Sequence, residues 1–140
     1  FVDSSILIAA LLSSRGGSFY ILTHLKDELH FQINNYVLEE IFKVLDKKFY
    51  LQKELKNYFF LLMGLAKVEI LSNPSEISVK KLSKIINKED APILASALSN
   101  SDYLLTLDND FLDETIRNFA EGNNVLIFSP KEFISFLRIT

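Results

Sequence analysis

Cysteine is absent from these 140 residues, which excludes disulfides, thiolate metal sites and cysteine nucleophiles. Its absence fits a cytosolic or a thermophilic source. Histidine is nearly absent: His24 and His30 are isolated from one another and read as structural or surface residues. No apolar run reaches the ~18 residues that a bilayer span needs. Tyr58 to Ala66 comes closest, and Lys67 stops it, so no membrane segment is expected. No charged n-region, apolar h-region and small-residue cleavage site follow one another, so no secretory signal is read and a cytoplasmic protein is expected. Positive charge is not in excess either. The formal net charge of −3 does not announce a nucleic-acid binder, although a local basic patch suffices for one. There are no repeats, low-complexity segments or linkers.

What is present is a globular composition: 49% hydrophobic and 24% charged residues, in a length that suits one domain, residues 1–140, with a real core. The chain opens on Phe1-Val2, already inside an apolar run and without Met, so further residues of that strand are expected before it. Asp3-Ser4-Ser5 then leads into an apolar helix from about Ile6 to Leu12. A second helix covers Ser18 to Lys26, with Phe19, Leu22 and Leu25 at helical spacing. A strand is expected over Leu29 to Ile33, helices over Tyr36 to Lys48 and Leu51 to Leu65, and a short strand over Val68 to Leu71. A helix from Val79 to Ile86 carries a basic face with Lys80, Lys81, Lys84 and Lys88. Asp90-Ala-Pro opens another helix, through Leu98, with proline in the first turn where its missing amide costs nothing. Tyr103 to Leu107 is apolar on both faces, as a central strand of a covered parallel sheet should be. A helix over Phe111 to Ala120, a strand over Val125 to Phe128 and a helix from Ser129 to Leu137 complete the chain. Strands alternating with helices mean βαβ units and a parallel sheet, with helices on both faces.

Carboxylates recur where strands give way to helices: Asp3, Glu39 or Glu40, Asp90, and Asp108 with Asp110. Singly, each has an ordinary reading. Asp3, Asp90 and Asp110 could cap helices. Glu39 and Glu40 flank the apolar stripe Val37, Leu38, Ile41, Phe42 and Leu45, and helical geometry does not choose between them. Jointly they say more. Asp3 and Asp108 each follow an apolar strand and belong at the same sheet edge, where open α/β sheets bind ligands. Clustered carboxylates repel and take up protons unless a cation keeps them ionised. Oxygen ligands alone point to a hard cation, Mg²⁺ or Mn²⁺, and such a site suits phosphoryl transfer or phosphodiester hydrolysis.

Five stretches make the sequence resemble the PIN-domain ribonucleases, among them the toxin nucleases of toxin–antitoxin pairs. They are Phe-Val-Asp3-Ser-Ser5, Val-Leu-Glu-Glu40-Ile, Lys-Glu-Asp90-Ala-Pro-Ile-Leu-Ala-Ser-Ala97, Tyr-Leu-Leu-Thr106-Leu-Asp108-Asn-Asp110-Phe, and the closing Phe128-Ser-Pro-Lys-Glu-Phe133. The resemblance covers nearly the whole chain. It implies a three-layer α/β/α sandwich around a parallel sheet of strand order 3-2-1-4-5. It implies that Asp3, Glu40, Asp90 and Asp108 are catalytic and hold one or two Mg²⁺ or Mn²⁺ ions, with Asp110 as an accessory ligand and Ser4, Ser5 and Thr106 in support. In this pattern Glu40, before Ile41, is the helical acid and Glu39 points outward. The implied activity is hydrolysis of RNA phosphodiester bonds by metal-activated water, with an antitoxin protein and a second copy as the implied partners. Where the family often has Asp-Thr-Asn, this chain has Asp3-Ser4-Ser5.

Arg15, Lys43 and Lys47 are candidates for RNA phosphates, against the plainer reading of solubilising charge. The helix around Tyr58-Phe-Phe-Leu-Leu-Met63 is too apolar all round for one buried face and suggests a homodimer seam or an antitoxin groove. Two other readings compete: a catalytically idle PIN-fold module that binds RNA or protein, and a haloacid-dehalogenase-type phosphatase. The second wants an Asp two residues after its first acid, where this chain has Ser5.

Overall fold

A computed structural model describes residues 1–139, the last of them by its backbone. Its strands are short and parallel. β1 (Gln32–Asn34) pairs with β2 (Glu69–Leu71), and β3 (Tyr103–Leu105) pairs with β4 (Leu126–Phe128). The extended segment Phe1–Asp3 lies between the two pairs. The Val2 amide donates to the Gln32 carbonyl at 2.9 Å, while the Asp3 amide donates to the Leu105 carbonyl at 3.0 Å and the Leu105 amide to the Phe1 carbonyl at 2.9 Å. Parallel strands need long crossovers, and helices supply them: α1 (Ser4–Leu12), α2 (Gly17–His24), α3 (Asn35–Lys48), α4 (Glu54–Leu65), α5 (Glu76–Leu82), α6 (Ala91–Asn100), α7 (Asn109–Leu112), α8 (Glu114–Gly122) and α9 (Pro130–Ile139). Among the described residues no single helix is long and apolar enough to cross a membrane, and the apolar pair α1 and α2 bends by 97° at its break.

One core runs through the molecule. It joins Val2, Ile6, Leu7 and Ile33 to Ile41 on α3, Phe59 on α4, Leu94 on α6, Leu104 and Phe111, and reaches Phe133 on α9. Local chemistry sets the helix starts. Asn34 caps α3 by accepting from the Val37 amide, and its own amide group donates to Ser96 at 2.8 Å on α6, tying the end of β1 to that helix. Ser129 and Glu132 bond reciprocally through each other's backbone amides, a capping box that starts α9 with Pro130 in its first position.

Several boundaries differ from the sequence reading, each for a local reason. The helix expected over Phe111 to Ala120 is divided, because Asp113 is extended and caps α8 by accepting from the Thr115 amide. The helix expected over Val79 to Ile86 starts earlier, after the Ser75 cap, and ends at Leu82. Strand β3 stops at Leu105 rather than Leu107. Thr106 is still bonded to β4 through Phe128 and fully buried, but Leu107 turns out to solvent.

Candidate functional site

The carboxyl ends of Phe1–Asp3 and β3 bring two acids together. Asp3 is 5% exposed. Its Oδ1 accepts from the Ser4 amide at 2.8 Å, and its Oδ2 accepts from the Ser5 hydroxyl at 3.0 Å and the Thr106 hydroxyl at 2.8 Å. Thr106 in turn accepts from the Asp108 amide at 3.0 Å, and Ser5 accepts from the Leu107 amide at 3.0 Å. The three hydroxyl residues that flank the acids in sequence are therefore the struts that hold them. Ser4 is the third: its hydroxyl donates to Glu40 Oε1 at 2.8 Å, which brings α3 to the same place. Glu40, not Glu39, makes that bond.

Asp90, Asp108 and Asp110 complete the cluster. One carboxylate oxygen from each lies within 4.8 Å of the others. The capping readings sort themselves out here. Asp3 and Asp108 do cap helices, whereas Asp90 stands at the head of α6 without a capping bond and Asp110 lies inside the first turn of α7. The Asp90 carboxylate faces Asn87 instead. Asn87 Nδ2 donates to Asp90 at 2.6 Å and to Asp110 at 3.0 Å, and its Oδ1 accepts from the Asp90 amide at 3.0 Å. Asn87 was absent from the sequence reading, because nothing local distinguishes it from any loop asparagine before a helix.

The electrostatics are those of crowded acids. Burial, reinforced by the charge of Glu40, pushes Asp3 up to about 6 against the pull of its Thr106, Ser5 and Ser4 bonds. Asp90 is also pushed up to about 6, first by burial and then by the charges of Asp108, Asp3 and Asp110, while Asn87 pulls the other way. Such a group lacks positive charge. Its donors are oxygens of the kind that hard divalent cations take, and their mutual spacing lets one ion reach three of them.

The family model of the PIN domain matches residues 1–115. The chain belongs to the PIN-domain family. PIN domains are nuclease-type domains, generally dependent on divalent metal, and the acidic cluster of this one is where such an ion fits. No curated protein and no solved structure matches the chain.

The cations divide. Lys43 lines a cleft beside Glu40 together with Glu39, Lys88 and Glu89. Lys47 lies in the last turn of α3, exposed. Arg15 is exposed in the turn between α1 and α2. His24 stacks on Tyr20 at 4.7 Å and His30 contacts Glu69 at 3.2 Å, both at the surface of the PIN domain. On α4, Phe59 is fully buried while Tyr58, Phe60, Leu61 and Leu65 are exposed, and with Leu12 they leave an apolar surface.

Proposed function

We propose that this PIN domain is a metal-dependent endoribonuclease, with Asp3, Glu40, Asp90 and Asp108 as its catalytic acids. The observation that carries the reading is the meeting of five carboxylates from four distant stretches, held there by Ser4, Ser5, Thr106 and Asn87. Asp90, Asp108 and Asp110 would supply oxygens to Mg²⁺ or Mn²⁺. Asp3 backs them from a buried position, and Glu40 extends the set toward solvent. A divalent ion held there would supply an acidified water and a counter-charge for phosphoryl oxygens. The protein's part is to hold its oxygens fixed before substrate arrives, which Thr106 and Ser5 do by restraining Asp3.

We infer a sheet of order 3-2-1-4-5 in a three-layer sandwich, counting Phe1–Asp3 as the first strand; the bonds from that segment to Gln32 and Leu105 support it. We take residues 1–140 as one domain, since the core runs on into α9. The role of toxin in a toxin–antitoxin pair is the biological reading. The exposed apolar face of α4 supports a protein partner, an antitoxin or a second copy. The location we propose is the cytoplasm, where such a nuclease would meet RNA.

The test is cleavage of a mixed RNA pool with Mg²⁺ or Mn²⁺ by wild type, Asp3→Asn and Asp90→Asn, each checked for folding by circular dichroism. Metal-dependent cleavage lost in both variants supports the reading. No cleavage by wild type, with no rise in melting temperature on adding Mn²⁺, would instead favour an idle module that binds RNA or protein.

A further inference from the structure

Leu107 separates the acidic cluster from a second concave surface. The turn between α1 and α2 forms one wall and α9 the other, around a cleft of about 640 Å³. Gly17 allows the walls to meet at their base. A Cβ at that position would stand 3.2 Å from the Cβ of Pro130, so a side chain there would need Pro130 to give by a few tenths of an ångström. The volume lies within the ~300–1,000 Å³ of ordinary ligand pockets. That volume is of the order of one or two nucleotides of a single strand.

The chemistry of the lining is distinctive in a chain of net charge −3. Ser13 and Ser135 offer hydroxyls, Lys131 and Arg138 offer cations, and among the described residues no carboxylate lines the cleft. Neither cation is in an ion pair among the described residues. The acid next to Lys131, Glu132, is held by Arg117 through two bonds of 2.9 and 3.1 Å and is thereby neutralised. The cleft on the other side of the cluster is the opposite case, with Lys43 and Lys88 outnumbered by Glu39, Glu40 and Glu89. Hydroxyls and unpaired cations are what contact a sugar–phosphate backbone. Leu107, 46% exposed, presents an apolar surface at the junction. Its amide is bonded to Ser5, which bonds Asp3, so the Leu107 end of the cleft adjoins the acids.

We propose that this cleft holds the single-stranded RNA segment on one side of the scissile phosphate, with Lys131 and Arg138 on its phosphates and Leu107 against a base. The proposal rests on the ribonuclease reading for its substrate, but it is tested separately. The probe is a short fluorescein-labelled single-stranded RNA, its anisotropy followed in EDTA over a range of salt concentrations, so that no cleavage intervenes. Lys131→Ala/Arg138→Ala is expected to weaken binding about tenfold and to lower the slope of log K against log salt by about 1.4, the share of two single-strand phosphates. Lys131→Arg/Arg138→Lys should bind as wild type does. So should Lys80→Ala/Lys81→Ala, which alters the exposed face of α5. An affinity and slope unchanged in the first double variant would overturn the proposal and hand the cleft to a protein segment; if wild type still cleaves RNA, the nuclease reading survives that loss. Binding that does depend on Lys131 and Arg138, in a protein that never cleaves RNA with Mn²⁺, would keep the cleft and remove the nuclease reading.

Discussion

The Thr106 hydroxyl and the Asp3 carboxylate, 103 positions apart in the chain, are joined by a buried hydrogen bond of 2.8 Å. The same hydroxyl accepts from the Asp108 amide, so one side chain orients an acid on each side of it. Thr106→Val keeps the shape and removes the hydroxyl. It should cost ~1–3 kcal/mol of stability, because the Asp108 amide loses its partner and Asp3 loses a donor. Mn²⁺ affinity, measured by calorimetry, should fall, and Thr106→Ser should restore most of it.

Asn87 stands between Asp90 and Asp110 and keeps two like charges apart without a cation. Asn87→Ala should lower the melting temperature in EDTA and increase the further rise on adding Mn²⁺, since the ion then does alone what the amide did. A variant whose melting temperature in EDTA matches wild type would show that the amide has no such role.

The raised Asp3 and Asp90 give the metal-free protein a defined pH dependence. A carboxyl that titrates at about 6 when folded, against 3.8 ordinarily, keeps its proton in the folded state across that interval while the unfolded chain loses it. Stability therefore falls as pH rises from about 4 to about 6, by about 3 kcal/mol for the buried Asp3 and by less for the more exposed Asp90. Thermal unfolding in EDTA should show this decline. A saturating divalent ion should reverse it above pH 6 and do little below pH 5, because binding must expel the protons.

Adjacent leucines on α4 make opposite predictions. Leu62 is 7% exposed and Leu61 is 68% exposed. Leu62→Ala should cost ~2–5 kcal/mol by urea unfolding. Leu61→Lys should stay within ~0.5 kcal/mol of wild type while reducing self-association or partner capture, read by analytical ultracentrifugation. Unchanged association would show that this face is not an interface.

Much of the layout was legible locally. Asp3 and Asp108 were readable because each closes an apolar strand, and α3 was readable from its stripe and the Asn34-Asn35 start. The break at Asp113 was not, because a helix-compatible sequence runs through it and only the extended backbone there reveals the new cap. The start of α5 has a local signal in Ser75, which caps it by accepting from the Ser78 amide, four residues before the Val79 start that was expected.

The sequence by itself determined the order of most helices and strands, though not all their boundaries, and that acids stand where strands end, since propensity, periodicity and capping act over a few neighbouring residues. Only the tertiary structure decided which of those acids meet. Helical periodicity left Glu39 and Glu40 equivalent and the family resemblance pointed to Glu40; the structure supplies the physical reason, since Ser4, 36 positions away, donates to Glu40. Asn87 matters because Asp110, 23 positions away, folds onto its amide. Hydrogen bonds and charge–charge interactions depend on distance in space, and for residues this far apart in the chain that distance is set by packing.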